Sequence, residues 1–111
     1  MKINEQKYND VVVLELQGEL DCDIVGQFKR KIEQIASSGN DSLILDMSKV
    51  TFIDSEGLGC LLWARDYCSE NKCQLRLAAI GDNCDKILQI TQLDNEFDRY
   101  PDLSEALKSF V

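Results

Sequence analysis

The sequence predicts an α/β fold: one layered domain spanning 1–111, with about four helices packed on a mixed sheet of four to five strands. Three observations carry this. Short β-branched or aliphatic runs alternate with stretches of helical period, an order that demands parallel pairing with right-handed crossovers. Leu43-Ile44-Leu45 is a continuous apolar run, as expected of a strand covered on both faces of a parallel sheet. And 111 residues is a common size for one hydrophobic core.

Val11 to Leu16 is β-branched and apolar and reads as a strand. Asn9-Asp10 before it is a turn signal, which makes Lys2 to Tyr8 the other arm of an antiparallel hairpin. Gly18 is expected to break the strand. Val25, Phe28, Ile32, Ile35 and Ala36 then recur every three or four residues, opposite Gln27, Arg30, Lys31 and Gln34. That is an amphipathic helix, stopped by Ser38-Gly39-Asn40-Asp41. Leu43-Ile44-Leu45 reads as a short buried strand, and a second helix is expected from near Ser55 to about Asn71. Leu75 to Ile80 makes another buried strand, followed by a short helix with Cys84, Ile87, Leu88 and Thr91 on one face. A last short strand is expected within Asp94 to Tyr100, and Leu103 to Phe110 closes the chain as a helix after Pro101.

Composition narrows the function. The chain carries 12 basic and 20 acidic residues, a net charge of −8. Without a basic cluster it is a poor ligand for nucleic acid or an anionic membrane, so neither is expected as a direct partner. No apolar run approaches the ~18 residues of a membrane span, and MKINEQKY lacks the apolar stretch of a signal peptide. A cytoplasmic location is the expectation. Histidine is absent, which removes Ser-His-Asp and Cys-His nucleophiles, His-ligated zinc and an imidazole base. The cysteines at 22, 60, 68, 73 and 84 are odd in number and match no common zinc or thioredoxin spacing. They read as reduced thiols, most of them small core-fillers, with a redox-sensing thiol as the alternative. Gly57-Leu58-Gly59 is only a fragment of a phosphate-binding fingerprint. No metal, cofactor or catalytic activity is therefore expected.

The most informative segment is Asp46-Met47-Ser48-Lys49-Val50-Thr51-Phe52-Ile53-Asp54-Ser55-Glu56-Gly57-Leu58-Gly59. Ser55 is expected to cap the second helix, its hydroxyl accepting from a first-turn amide. Glu56 stands where the helix dipole favours negative charge. Gly57 and Gly59 disfavour a first turn by up to ~1 kcal/mol each relative to Ala. Two readings follow: a capped helix with tight packing, or close approach by another element, a partner or a phosphate. Leu58, Leu61 and Leu62 on one side of this helix, with Cys60, Trp63 and Tyr67 on another, make an arc wider than one buried stripe needs, which reads as a deeply buried helix or as one with part of its face exposed for a partner.

The pattern D-x-S-x-V-x-F-I-D-S-x-G-L-G resembles the central motif of the STAS domain family, named for sulfate transporters and anti-sigma factor antagonists. Gly18-Glu19-Leu20-Asp21 resembles the family's second signature. The resemblance implies a free-standing anti-sigma factor antagonist, a non-enzymatic switch that binds an anti-sigma factor serine kinase and so releases a sigma factor. It maps the phosphoacceptor onto Ser55. Asp21, Asp54, Glu56, Gly57 and Leu58 then form the partner-binding surface, with Asp21 capping the first helix as the alternative for that residue. A serine phosphatase would reverse the mark, and the free protein is expected to be a monomer. The same-family alternative is a scaffold or regulatory subunit of another assembly, stressosome-like or a lipid transporter. Three departures stand out: Glu56, where relatives often carry a small residue; Cys22 to Gly26, which lacks a Ser/Thr-Ala pattern; and Gln92, where relatives often have Gly.

Overall fold

The structure is a computed structural model and describes residues 1–110. Strands β1 (Lys2–Tyr8) and β2 (Val11–Leu20) lead into α1 (Val25–Ser37), β3 (Ser42–Ile53) and α2 (Ser55–Glu70). Then follow β4 (Gln74–Ala78), α3 (Asp82–Ile90), β5 (Asp98–Tyr100) and α4 (Leu103–Lys108). The five strands form one mixed sheet in the order β1-β2-β3-β4-β5, with only β1 antiparallel to its neighbour.

Side-chain alternation explains the layers. Val12, Leu14 and Leu16 of β2, with Leu43, Leu45 and Met47 of β3, point to one face, where they meet Phe28 and Ile32 of α1 and Leu61 and Ala64 of α2. The intervening Val11, Val13 and Ile44 point to the other face and meet Ala106 of α4. Both faces are covered, so β2 is apolar from Val11 to Leu14 and β3 from Leu43 to Leu45. Cys60, Cys68, Cys73 and Cys84 are buried and Cys22 is exposed, in keeping with small apolar packing for most of the thiols.

Two expectations about strand length are corrected. Gly18 does not end β2: at φ 109 it bends the chain, and pairing continues to Leu20. Likewise β3 is a 12-residue strand that takes in most of the informative segment. It is bulged twice. Leu16 alone opposes Met47 and Ser48, and Thr51 is extra between the Gly18–Val50 and Glu19–Phe52 pairs. Asp46, the one buried charged side chain among the described residues, accepts a hydrogen bond from the Ser48 amide at 3.0 Å at the first bulge. A bulge frees an amide from the ladder, and the carboxylate satisfies it.

Candidate functional site

β2 and β3 end side by side, with Leu20 paired to Ile53. The chain leaves each strand into a helix, so the Asp21 turn and the Asp54-Ser55 turn lie together at one edge of the fold. The Leu20 carbonyl accepts from the Asp54 amide at 3.2 Å, tying the two exits. A Cβ on Gly57 would fall inside the van der Waals shell of that same carbonyl oxygen and 2.9 Å from its carbon. Close approach by another element therefore explains Gly57, which is buried. Gly59 meets nothing within 4 Å and is exposed, so the close-approach explanation covers the first glycine alone.

The helix cap is Asp54, not Ser55. Asp54 has extended backbone (φ −93, ψ −176), and its Oδ1 accepts from the Gly57 amide at 2.8 Å. Ser55 is the first helical residue, and its side chain is exposed. Glu56, also exposed, lies in the first turn as the dipole favours. Asp21 does not cap α1, which has no side-chain cap. Its Oδ1 instead accepts from the Asp23 amide at 3.0 Å, holding a turn in which the Ile24 amide donates to the Asp21 carbonyl.

Negative charge gathers here. The exposed Cys22 thiol is pushed above its usual value, most by Asp23, with Asp21 and Asp54 also contributing. The Cys60 thiol is raised chiefly by burial; Lys29 opposes this, and Glu56 and Asp54 add to it. Asp21, Asp23 and Asp54 thus all act on the Cys22 thiol, and Glu56 lies on the adjoining turn. An open groove of about 450 Å³, lined by Glu19, Asp21, Asp23 and Gln27 among others, runs beside them. Among the described residues no group of three His, Cys, Asp or Glu could hold a metal ion.

Of the residues singled out in the sequence, Asp21, Asp54, Ser55 and Glu56 come together at the amino end of α2. Gly57 supports the turn from beneath, and Leu58 is half-buried and packs against the core. Asp23 and Phe52 were missed. Phe52 stands 47% exposed two residues before Asp54, a large apolar side chain left in solvent beside the carboxylates. The strand's bulges turn it outward, and no local pattern announces a bulge. The wide arc of α2 is half-buried: Trp63 stacks on Tyr67 with ring centroids 5.0 Å apart, both pack against the core, and Lys29 Nζ lies 5.3 Å from the Trp63 ring.

Comparison with known proteins agrees with this architecture. The STAS domain family matches residues 2–106, and the chain belongs to that family. A STAS-domain containing protein of Pseudomonas aeruginosa is 28% identical over 86 residues, 78% of this chain and 84% of the relative. A Thermotoga maritima protein provisionally assigned as an anti-sigma factor antagonist superposes with a TM-score of 0.88 at 25% identity, over 96% of this chain and 92% of that one. SpoIIAA, an anti-sigma factor antagonist, superposes in its unphosphorylated form with a TM-score of 0.82 at 22% identity (98% and 96% coverage). The phosphorylated Bacillus protein superposes with a TM-score of 0.75 at 22% identity (99% and 100% coverage). The fold is that of the anti-sigma factor antagonists. No helix among the described residues is long and apolar enough to cross a membrane.

Proposed function

We propose that residues 1–111 act as one cytoplasmic STAS unit, a non-enzymatic anti-sigma factor antagonist switched by phosphorylation of Ser55. In its unmodified form it binds an anti-sigma factor serine kinase and so frees a sigma factor. The observation that carries the reading is an exposed serine hydroxyl at the first residue of α2, between Asp54 and Glu56, on backbone locked to the end of β2. The turn is stiff without help from the serine, so Ser55 is free for chemistry. That SpoIIAA, of the same fold, exists in unphosphorylated and phosphorylated forms supports the assignment.

The kinase transfers the γ-phosphoryl group of ATP to the Ser55 oxygen: the new P–O bond forms as the bond to the β-phosphate breaks, ADP leaves, and the hydroxyl proton passes to a base of the kinase. The phosphate adds about −1.5 to −2 charges. Asp54 already occupies the Gly57 amide, so the new group projects from the surface among Asp21, Asp54 and Glu56. A partner shaped for a neutral hydroxyl then meets bulk and added repulsion, and the complex separates. The fold stays intact, because the modified side chain lies outside the core. Phe52 supplies an apolar anchor within the same contact surface. A serine phosphatase restores the binding form.

The test is a phosphorylation assay with ATP and a purified anti-sigma factor kinase from the source organism. The reading predicts one phosphate, mapped to Ser55 by peptide mass spectrometry and absent in Ser55→Ala. Phosphate on another residue, or none with a kinase that binds the protein, contradicts it.

A further inference from the structure

The far end of α2 carries a separate arrangement. The helix closes in a Schellman motif: Lys72 sits at φ 60, its amide donates to the Ser69 carbonyl at 3.3 Å, and the Cys73 amide donates to the Cys68 carbonyl at 2.8 Å. Such a motif presses together the side chains of the two residues joined by its longer loop, usually an apolar pair. α3 ends in the same way at Gln92 (φ 61), with the Leu93 amide on the Leu88 carbonyl at 2.8 Å, and there the paired residues are two leucines. In α2 they are two cysteines.

We propose that Cys68 and Cys73 are a reversible dithiol–disulfide pair, closed across the carboxyl end of α2 by exchange with a low-molecular-weight disulfide of the glutathione type. A disulfide needs Cα atoms about 4.4–6.8 Å apart. Residues five apart in a continuous helix are separated by about 7.5 Å of rise, and the reversal at Lys72 removes that excess. Both thiols are free, and the hydrogen bond from the Cys73 amide to the Cys68 carbonyl holds the two residues against each other. The interaction of the two neighbouring thiols pushes the Cys68 pKa up and the Cys73 pKa down, which makes Cys73 the attacking sulfur. Cys73, 3% exposed, borders an open groove of about 510 Å³ lined also by Arg65, Lys72, Arg76 and Asp98; Arg65 is paired with Asp66 and Glu96, which leaves Lys72 as the cation for a carboxylate of glutathione. The other thiols are placed differently: Cys84 points to the Val50 carbonyl and Cys22 to Asp23.

The exchange balances in two steps. The Cys73 thiolate attacks one sulfur of glutathione disulfide, breaking its S–S bond and releasing one glutathione thiolate. The proton lost from Cys73 is taken up by that leaving thiolate. Cys68 then gives up its proton and attacks the Cys73 sulfur, and the second glutathione leaves with that proton. Two protein thiols are oxidised to one disulfide, and one glutathione disulfide is reduced to two thiols.

The experiment uses the full chain treated with glutathione disulfide, then unfolded in excess alkylating reagent and weighed intact. The expected product has three alkylated cysteines where the untreated protein has five, and a mass lower by two hydrogens before alkylation. Trypsin, which cuts after Lys72, should leave peptides 66–72 and 73–76 joined until dithiothreitol is added. In Cys68→Ala the reaction should stop at a glutathione adduct on Cys73. Five alkylated cysteines in the treated wild-type protein, adducts confined to Cys22, or a link between any other pair would overturn the proposal.

Discussion

The Leu20 carbonyl and the Gly57 Cα lie so close that no side chain fits between them. The same carbonyl accepts from the Asp54 amide. One backbone group at the end of β2 therefore sets both the start of α2 and its distance from the sheet. Ser55 and Glu56 are displayed on a turn with little freedom, and a kinase or partner meets a preformed surface.

Gly57→Ala is expected to destabilise the protein by about 1–3 kcal/mol, because its methyl group meets backbone that cannot swing aside. Gly59→Ala, two residues on in open space, should stabilise it by up to about 1 kcal/mol through helix propensity. Urea unfolding of both variants checks the pair of opposite signs.

The identity of the cap separates Asp54 from Ser55. Asp54→Ala should lower stability by about 1 kcal/mol, and Asp54→Asn should retain most of the cap because an amide oxygen still accepts from Gly57. Ser55→Ala should change stability by less than about 0.5 kcal/mol, as for an exposed residue outside any such feature. Thermal melts suffice. A larger loss in Ser55→Ala than in Asp54→Ala would return the cap to the serine.

Gln92 ends α3 at φ 61, a conformation that glycine adopts freely and other residues do not. Gln92→Gly should therefore stabilise the protein by about 0.5–1 kcal/mol. The side chain is exposed, so no packing is lost. Denaturant midpoints with unchanged m-values would confirm it.

The carboxylates around Cys22 hold its thiol above the ordinary 9.0. At a fixed pH below that value less thiolate is present, so alkylation of Cys22 should be slower than that of an unstructured peptide thiol. Its rate profile should rise at higher pH. Asp23→Asn should bring the profile down towards the peptide's. Iodoacetamide kinetics followed by mass spectrometry read this directly.

Most of the architecture was legible in the sequence because its signals are local. The Asn9-Asp10 turn, the helical spacing of Phe28, Ile32 and Ile35, and the apolar run at Leu43 to Leu45 each answer to their own neighbours. The extension of β2 past Gly18 and of β3 to Ile53 was not legible, because the bulges depend on pairing between distant segments. Ser55 and Asp54 are equally good caps by composition. The choice falls to Asp54 because the Leu20 carbonyl holds its amide, and a backbone carbonyl leaves no mark in the sequence. Its shadow is Gly57, which was noticed without the contact it serves. Gln92 is similar: the departure from glycine was visible, and the left-handed backbone beneath it was not.

The most direct test is a parallel capture from lysate of the source cells with unmodified protein and Ser55→Asp, read by mass spectrometry alongside melts of both baits. The account predicts an anti-sigma factor serine kinase on the first bait, lost from the second, with closely matched melting temperatures. The same partners on both equally stable baits would contradict it and leave a constitutive STAS scaffold.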